Sequence, residues 1–299
     1  MLNKKPVFIV AFAYGGSNIL LNLLRSHPDL CSPRGEINEV FKGKPDEPLS
    51  TRLAKCLRYF PCVLAEGRDI FDFNDWEPRR PFKVFTQRLI DRILFDEKLR
   101  ARSGSQNYYK DEDTVYTEKE VRSARLLSKN LDGLTFLTPE LSRMYPDAVF
   151  IALVRNGFAV CEGHLRRGHK LENIARNYDK GCGLMLEHSR TLPRYYIIRY
   201  EDMVANPQET LKEVYRLADL DIGLVKKVRM QAKRVIGKDG SHQVVRQGEW
   251  KQMFWYSPDE LHKHFRSDAN ENQIKRLSED QKGLIRHVCA SSLRRFGYL

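Results

Sequence analysis

Three short apolar runs, residues 7–10, 149–154 and 195–200, limit what this chain can become, because Val, Ile, Leu, Phe, Ala and Tyr dominate each of them. Strands that lack polar–apolar alternation must be covered on both faces, as in a parallel sheet between helical layers. Each run is followed by turn residues and then by a helical pattern. Behind the first, Ile19, Leu20, Leu21, Leu23 and Leu24 form an apolar stripe that ends near His27-Pro28. Behind the second, residues 158–167 read as a helix. After the third, Asn206 caps and Pro207 opens a helix to about Leu217. A shorter strand is expected at 125–128, followed by a helix across 134–144 that stops before Tyr145-Pro146. Strands alternating with helices build βαβ units, so the expected fold class is α/β, a central parallel sheet flanked by helices.

The chain has 299 residues, 41% of them hydrophobic, enough to bury a core without disulfides or metal. At about 150 residues per domain this length allows two. Large α/β folds use it for one, and residues 1–299 are expected to form a single domain. Residues 42–123 differ from the rest, being rich in Pro, Arg, Asp and aromatics. They read as a helical and loop insertion on the substrate side, whose Phe71, Phe73, Trp76, Phe82 and Phe85 either fill a core or line an apolar acceptor pocket. Past Gly237 the chain reads as loop-rich. A last helix begins at Ser278, which forms a capping box with Gln281.

Charge and cysteines exclude several classes. The formal net charge of +12 predicts attraction to anions. Nucleic acid is not the expected partner, since 39 acidic residues intersperse 51 basic ones and no RNP, KH or zinc-finger pattern occurs. No run approaches the ~18 apolar residues of a membrane span. The basic start is followed by an apolar stretch that Tyr14-Gly15-Gly16-Ser17-Asn18 interrupts, without a small-residue cleavage site, so a signal peptide is not expected. The six cysteines (Cys31, Cys56, Cys62, Cys161, Cys182, Cys289) show no CxxC pair and no ligand spacing with histidine. The expectation is reduced thiols in a cytoplasmic protein with no metal site.

The first strand runs into Ala11-Phe12-Ala13-Tyr14-Gly15-Gly16-Ser17-Asn18 and then a helix. Adjacent glycines let backbone turn sharply, and their N–H groups with a helix N-terminus make an anion nest. A Walker A loop needs Gly-Lys-[Ser/Thr]. Here Gly16 is followed by Ser17 and Asn18, which disfavours a metal-dependent NTPase, and the spacing is not GxGxxG. The loop suits a terminal phosphate that needs no metal.

Four segments in order resemble the sulfotransferase family that uses 3′-phosphoadenosine 5′-phosphosulfate (PAPS). PVFIVAFAYGGSNILLNLLRSHP (6–28) is similar to its 5′-phosphosulfate loop, and MYPDAVFIALVRNGFAVCEGHLRRG (144–168) to its 3′-phosphate segment. IIRYEDMVANP (197–207) resembles its Tyr-Glu-Asp strand end, and VVRQGEWKQMF (244–254) its Arg-Lys-Gly…Trp loop. The resemblance implies a P-loop-like sheet and PAPS as co-substrate, with adenosine 3′,5′-bisphosphate as product. The acceptor would be a small molecule or polymer bearing a hydroxyl or phenol.

Site residues follow from that resemblance. Gly15, Gly16, Ser17, Asn18 and Ile19 would hold the 5′-phosphate, and Arg155 the 3′-phosphate, with Arg167 as a second nucleotide-contacting arginine. Tyr200 would lie near the adenine, and Ser241, Arg246, Gln247 and Gly248 would close over the nucleotide. Glu36 stands where tyrosylprotein-type members carry a general base, and Lys129 where the family has a lysine on the phosphosulfate. Three positions depart from the pattern. Tyr14 replaces the loop Lys or Arg, Gly163 replaces a 3′-phosphate serine, and Gln247 replaces a lysine. The histidine of cytosolic members has no counterpart, as none lies between His27 and His164. The resemblance therefore implies a sulfotransferase in which Lys129 serves for the absent loop cation, or else a catalytically impaired binder of a nucleotide or polyanion.

Overall fold

β1 (Val7–Ala11) is the middle of five parallel strands in the order β2 (Leu30–Cys31), β3 (Arg125–Leu131), β1, β4 (Val149–Val154), β5 (Tyr195–Arg199). This is a computed structural model, and it describes residues 5–100, 114–231, 234–236, 242–244, 253–265 and 268–299. Val7 registers with Leu127 on one side and Val149 on the other, so the C-terminal ends of β1, β3 and β4 lie level along one edge. Alternate residues of each central strand serve opposite cores. Phe8 and Val10 of β1, with Phe150, Ala152 and Val154 of β4, face one apolar cluster, and Val7, Ile9, Val149, Ile151 and Leu153 face the other. All of these are fully buried, and each Val, Ile, Leu and Phe among them is worth about 1.5–3 kcal/mol in area removed from water.

α1 (Ser17–Arg25), α9 (Tyr200–Ala205) and α10 (Pro207–Leu217) cover the second face, through Leu20, Leu23, Met203, Leu211 and Val214. The first is covered by α2 (Ile37–Lys42), α3 (Leu49–Glu66) and α4 (Val84–Arg100), and by α7 (Gly157–Leu165), α8 (Leu171–Thr191), α12 (Glu279–Val288) and α13 (Ala290–Arg295). Between them in the chain lie α5 (Glu118–Ser123), α6 (Thr138–Met144) and α11 (Ala269–Ile274). Two small antiparallel pairs follow α10: β6 (Val228–Gln231) with β9 (Met253–Tyr256), and β7 (Arg234–Ile236) with β8 (His242–Val244).

The α/β fold and the parallel sheet match the expectation, and the boundaries sharpen it. The third apolar run ends as a strand at Arg199, because Tyr200 opens α9. β3 runs on to Leu131, three residues past the expected end at Ser128, because residues 127–131 pair with β1. The helix expected over 134–144 divides into a tight 3-10 stretch (Asp132–Leu137) and α6. In the insertion, Phe71 and Phe82 are buried while Phe73 and Phe85 are exposed, so its aromatics do not share one fate. Among the described residues beyond Gly237 stand β8, β9 and α11, in a stretch that reads as loop-rich from its composition.

Candidate functional site

The site forms where the β1–α1 loop meets the C-terminal ends of β3 and β4. The loop folds on itself: the Gly15 N–H donates to the Phe12 carbonyl (3.0 Å) and the Ile19 N–H to the Gly16 carbonyl (2.9 Å). A side chain at Gly16 is impossible without rearrangement, because its φ is +90° and a Cβ there would collide with the Tyr200 ring. The first turn of α1 carries no acidic residue. The amides of Gly16, Ser17 and Asn18 have no acceptor among the described residues, leaving the positive end of the helix open to an anion.

On the β3 side, Lys129 and Glu36 form an ion pair of 3.1 Å, and the Lys129 ammonium also donates to Asn18 Oδ1 (2.8 Å). Glu36 caps α2, with its own N–H held by Glu39 Oε2 at 2.8 Å. Gly35 precedes it at φ +92°, where a Cβ would overlap the Glu39 carboxylate. Burial lowers the Lys129 ammonium below its ordinary pKa, and Glu36 opposes that shift. So a carboxylate, an ammonium and the start of α1 stand side by side.

Asp132 belongs to this group and was not foreseen. It follows β3 directly, at φ +50°, and its Oδ1 accepts the Ala13 N–H at 3.0 Å, tying the loop to the end of β3. Burial pushes its carboxyl pKa up to about 7, with the Ala13 N–H pulling it back and Glu36 adding to the rise. The available signal was its place: ligands of parallel α/β sheets gather at the carboxyl ends of strands, and Asp132-Gly133 is a turn pair at such an end.

On the β4 side, Arg155 converges on the same loop. Its Nη1 donates to the Tyr14 carbonyl (2.8 Å), and its guanidinium carbon lies 4.2 Å from the centre of the Tyr200 ring, which itself packs on Gly16. The rest of its fork is engaged by α11, Nε to Asn270 Oδ1 at 2.7 Å and Nη2 to Gln273 Oε1. Asn270 is anchored in turn by Glu201, and Gln273 by Glu162.

Tyr14 is turned onto α7. A Cβ at Gly163 would lie 2.7 Å from the Tyr14 Cβ, the His164 ring meets the Tyr14 ring edge-on at 4.8 Å, and the Arg167 guanidinium lies 5.7 Å from the Tyr14 ring centre. The Tyr14 Cβ and Cγ thus occupy the space a side chain at 163 would need. Burial lowers the His164 pKa to about 4, so it packs as a neutral ring. Structure therefore brings together Tyr14, Gly15, Gly16, Ser17, Asn18, Ile19, Arg155, Gly163, Arg167 and Tyr200, with Glu36 and Lys129 on the other flank of the loop. Ser241, Arg246, Gln247 and Gly248 lie outside the described residues. Among the described residues no cluster of His, Cys, Asp and Glu has the geometry of a metal site, and no helix is long and apolar enough to cross a membrane.

A parallel sheet whose central strand ends in a glycine turn and an uncapped helix, with cations near the ends of the neighbouring strands, defines an α/β protein with its candidate site at the carboxyl edge of the sheet. Residues 6–223 match the Sulfotransferase family, and the chain belongs to that family. It is similar in fold to the sulfotransferase domain from the curacin biosynthetic pathway, with a TM-score of 0.52, 15% identity, and coverage of 100% of this chain and 99% of that one. Other similar structures are the sulfotransferase domain of the Synechococcus PCC 7002 olefin synthase (TM-score 0.44, 18% identity, 75% and 78% covered) and mouse sulfotransferase SULT7A1 complexed with PAP (0.42, 11%, 97% and 85%). No curated protein matches the chain.

Proposed function

We propose that this protein transfers a sulfuryl group from PAPS to an acceptor hydroxyl or phenol. The Glu36–Lys129 pair of 3.1 Å, joined to Asn18 at the start of α1, carries this reading. The residues suit the donor's phosphate end, since the amides of Gly16, Ser17 and Asn18 have no acceptor among the described residues and the first turn of α1 has no acid to repel it. When bound, PAPS supplies an activated sulfuryl group on a phosphate leaving group.

The chain's own residues then divide the work. Glu36, whose side chain is 28% exposed, takes the acceptor proton on a carboxylate oxygen. Lys129, its side chain 7% exposed, is held by Asn18 and Glu36 in a dry position, where an ammonium stabilises developing negative charge far better than in water. Protonation of Glu36 removes the charge that pairs with Lys129 and leaves the ammonium free to serve the leaving oxygen. Asp132 keeps the loop amides in register through Ala13.

Purified protein incubated with radiolabelled PAPS and a panel of hydroxyl acceptors tests the proposal. Transfer is expected for the wild type and its loss for Glu36→Gln; absence of transfer from both defeats the enzymatic reading. A second reading, a sulfotransferase fold that binds its nucleotide without turnover, is favoured by Tyr14 lying on α7 and by Arg155 being engaged with Asn270 and Gln273. Calorimetric binding of adenosine 3′,5′-bisphosphate without any transfer supports that alternative.

A further inference from the structure

Asp132 brings to the site a buried carboxylate that nothing beside it balances. It is 9% exposed, and it forms no ion pair among the described residues. The donor its carboxyl meets is the Ala13 N–H, which takes up Oδ1 at 3.0 Å. Lys129 stands three residues back on β3, but its ammonium is engaged by Glu36 (3.1 Å) and Asn18 (2.8 Å). The other charges at hand are negative or already engaged. Glu36, at the start of α2, repels it. The insertion turn that lies against Gly133 holds its Asp75 carboxylate with Arg68 and Arg79. On the far side of the loop, Arg155 is bonded to Tyr14, Asn270 and Gln273, and the His164 ring of α7 is neutral.

An unpaired carboxylate removed from water is held so unfavourably that it takes a proton instead. Burial brings Asp132 to that point near neutral pH, its pKa being pushed up to about 7. The loop that its Oδ1 holds is the one whose Gly16, Ser17 and Asn18 amides open to an anion. When a phosphate docks there, two carboxylates and one ammonium share its field. Like charges so placed do not all ionise, and the more deeply buried acid keeps the proton. The Glu36 side chain is 28% exposed, so the proton belongs to Asp132.

We propose, resting on the donor reading above, that the phosphate end of the nucleotide binds together with one proton, drawn from solvent onto Oδ2 of Asp132, which leaves Glu36 as the ionised base of the site. One O–H bond forms and no other bond changes; the proton returns to solvent when the nucleotide leaves. Asp132 acts through Glu36 and the Ala13 amide without touching the reacting atoms, and is thus a positioning residue. Its own titration fixes the sign. Where free Asp132 is ionised, docking must first restore the proton, so affinity falls as pH rises; where it is already protonated, affinity levels off.

Calorimetry of adenosine 3′,5′-bisphosphate binding, in buffers of different ionisation enthalpy, counts the proton. Above about pH 7.5 the nucleotide's own phosphates are past their second pKa of about 6, so protons taken up there go to the protein. The wild type should take up about half a proton or more at about pH 8 and lose up to about tenfold in affinity per pH unit. Asp132→Asn, which still offers an oxygen to the Ala13 N–H, should bind with no uptake and a flat profile, about tenfold tighter than the wild type at about pH 8.5. Glu36→Gln, which removes a like charge, should shift the uptake to lower pH without abolishing it. An infrared difference spectrum of the wild type should gain a protonated-carboxyl band as nucleotide binds, a readout that needs no variant to fold. Binding without uptake, uptake that survives Asp132→Asn (the result if Lys129 takes the proton), uptake abolished by Glu36→Gln, or an absent band overturns the proposal and leaves the donor reading standing. A wild type that takes no nucleotide at any pH overturns both.

Discussion

The packing of Tyr14 on Gly163 makes a quantitative claim about two positions far apart in sequence. An alanine at 163 would place its Cβ 2.7 Å from the Tyr14 Cβ and 3.1 Å from its Cγ, inside any van der Waals contact. Forcing a methyl group into such a space costs about 1–3 kcal/mol. Gly163 lies within α7, so the same substitution gains up to about 1 kcal/mol of helix propensity. The net expectation for Gly163→Ala alone is a destabilisation of about 0–2 kcal/mol. Tyr14→Gly removes both clashing atoms and suits the +61° φ of that residue. In that background only the propensity gain remains, and Gly163→Ala should stabilise by up to about 1 kcal/mol. The sign of one substitution therefore reverses with the residue at 14, giving a coupling energy of about 1–3 kcal/mol in a double-mutant cycle. Urea denaturation of the four proteins measures it. Additivity within about 0.5 kcal/mol would show that the two residues do not share the space.

Three other outcomes follow from the site. Lys129→Met should lower transfer by about 10²–10³-fold at saturating PAPS while leaving the fold intact, as expected for a group acting on charge in the transition state; an unchanged kcat removes Lys129 from the chemistry. Replacing Asn270 and Gln273 together by alanine frees two arms of the Arg155 fork, and calorimetry should show adenosine 3′,5′-bisphosphate binding about tenfold tighter, since each charge-assisted bond is worth about 1.5–3 kcal/mol; unchanged affinity means that Arg155 does not take the 3′-phosphate. For Asp132 the folded pKa of about 7 lies above the ordinary 3.8, so its contribution to stability is complete at acid pH and is lost as pH rises toward 7. Asp132→Asn, which keeps an oxygen for the Ala13 N–H, should gain in urea midpoint over wild type between those pH values and level off above; a parallel pair of pH profiles would contradict the buried carboxyl.

Local patterning explains why the sheet was legible. Residues 149–154 and 7–10 are apolar on both faces because two cores use alternate side chains, and no other arrangement of such strands buries everything they carry. The capping box at Ser278 was likewise readable, since all its parts lie within one turn: the Gln281 N–H donates to Ser278 Oγ at 3.2 Å and the Ser278 N–H to Gln281 Oε1 at 2.9 Å. α8 went unread although its signal was present: Ile174, Ala175, Tyr178, Cys182 and Met185 mark an inward face, diluted by charged neighbours. The glycine loop, Glu36 and Lys129 could be picked out from motif and order. That Glu36 and Lys129 touch depends on Gly35 and the capping of α2, which place a loop carboxylate at the end of another strand.

Arg155 shows where a one-dimensional reading stops. Its place after a buried strand and before a helix is a local fact, and so is the fork geometry that suits a phosphate. The use of that fork is not local. Tyr14, Asn270 and Gln273, each more than a hundred residues away in sequence, supply the three acceptors, and two of them are amides on a six-residue helix with no motif of its own. An amide oxygen is a weaker acceptor than a phosphate dianion, and burial already lowers the guanidinium from its ordinary pKa. A cation so desolvated and so weakly compensated gains more from an arriving phosphate than an arginine in water would. The same contacts that hold Arg155 therefore leave it short of full charge compensation. For this reason the response of nucleotide affinity to Asn270 and Gln273 separates a phosphate site under an amide cover from an arginine that only braces the loop.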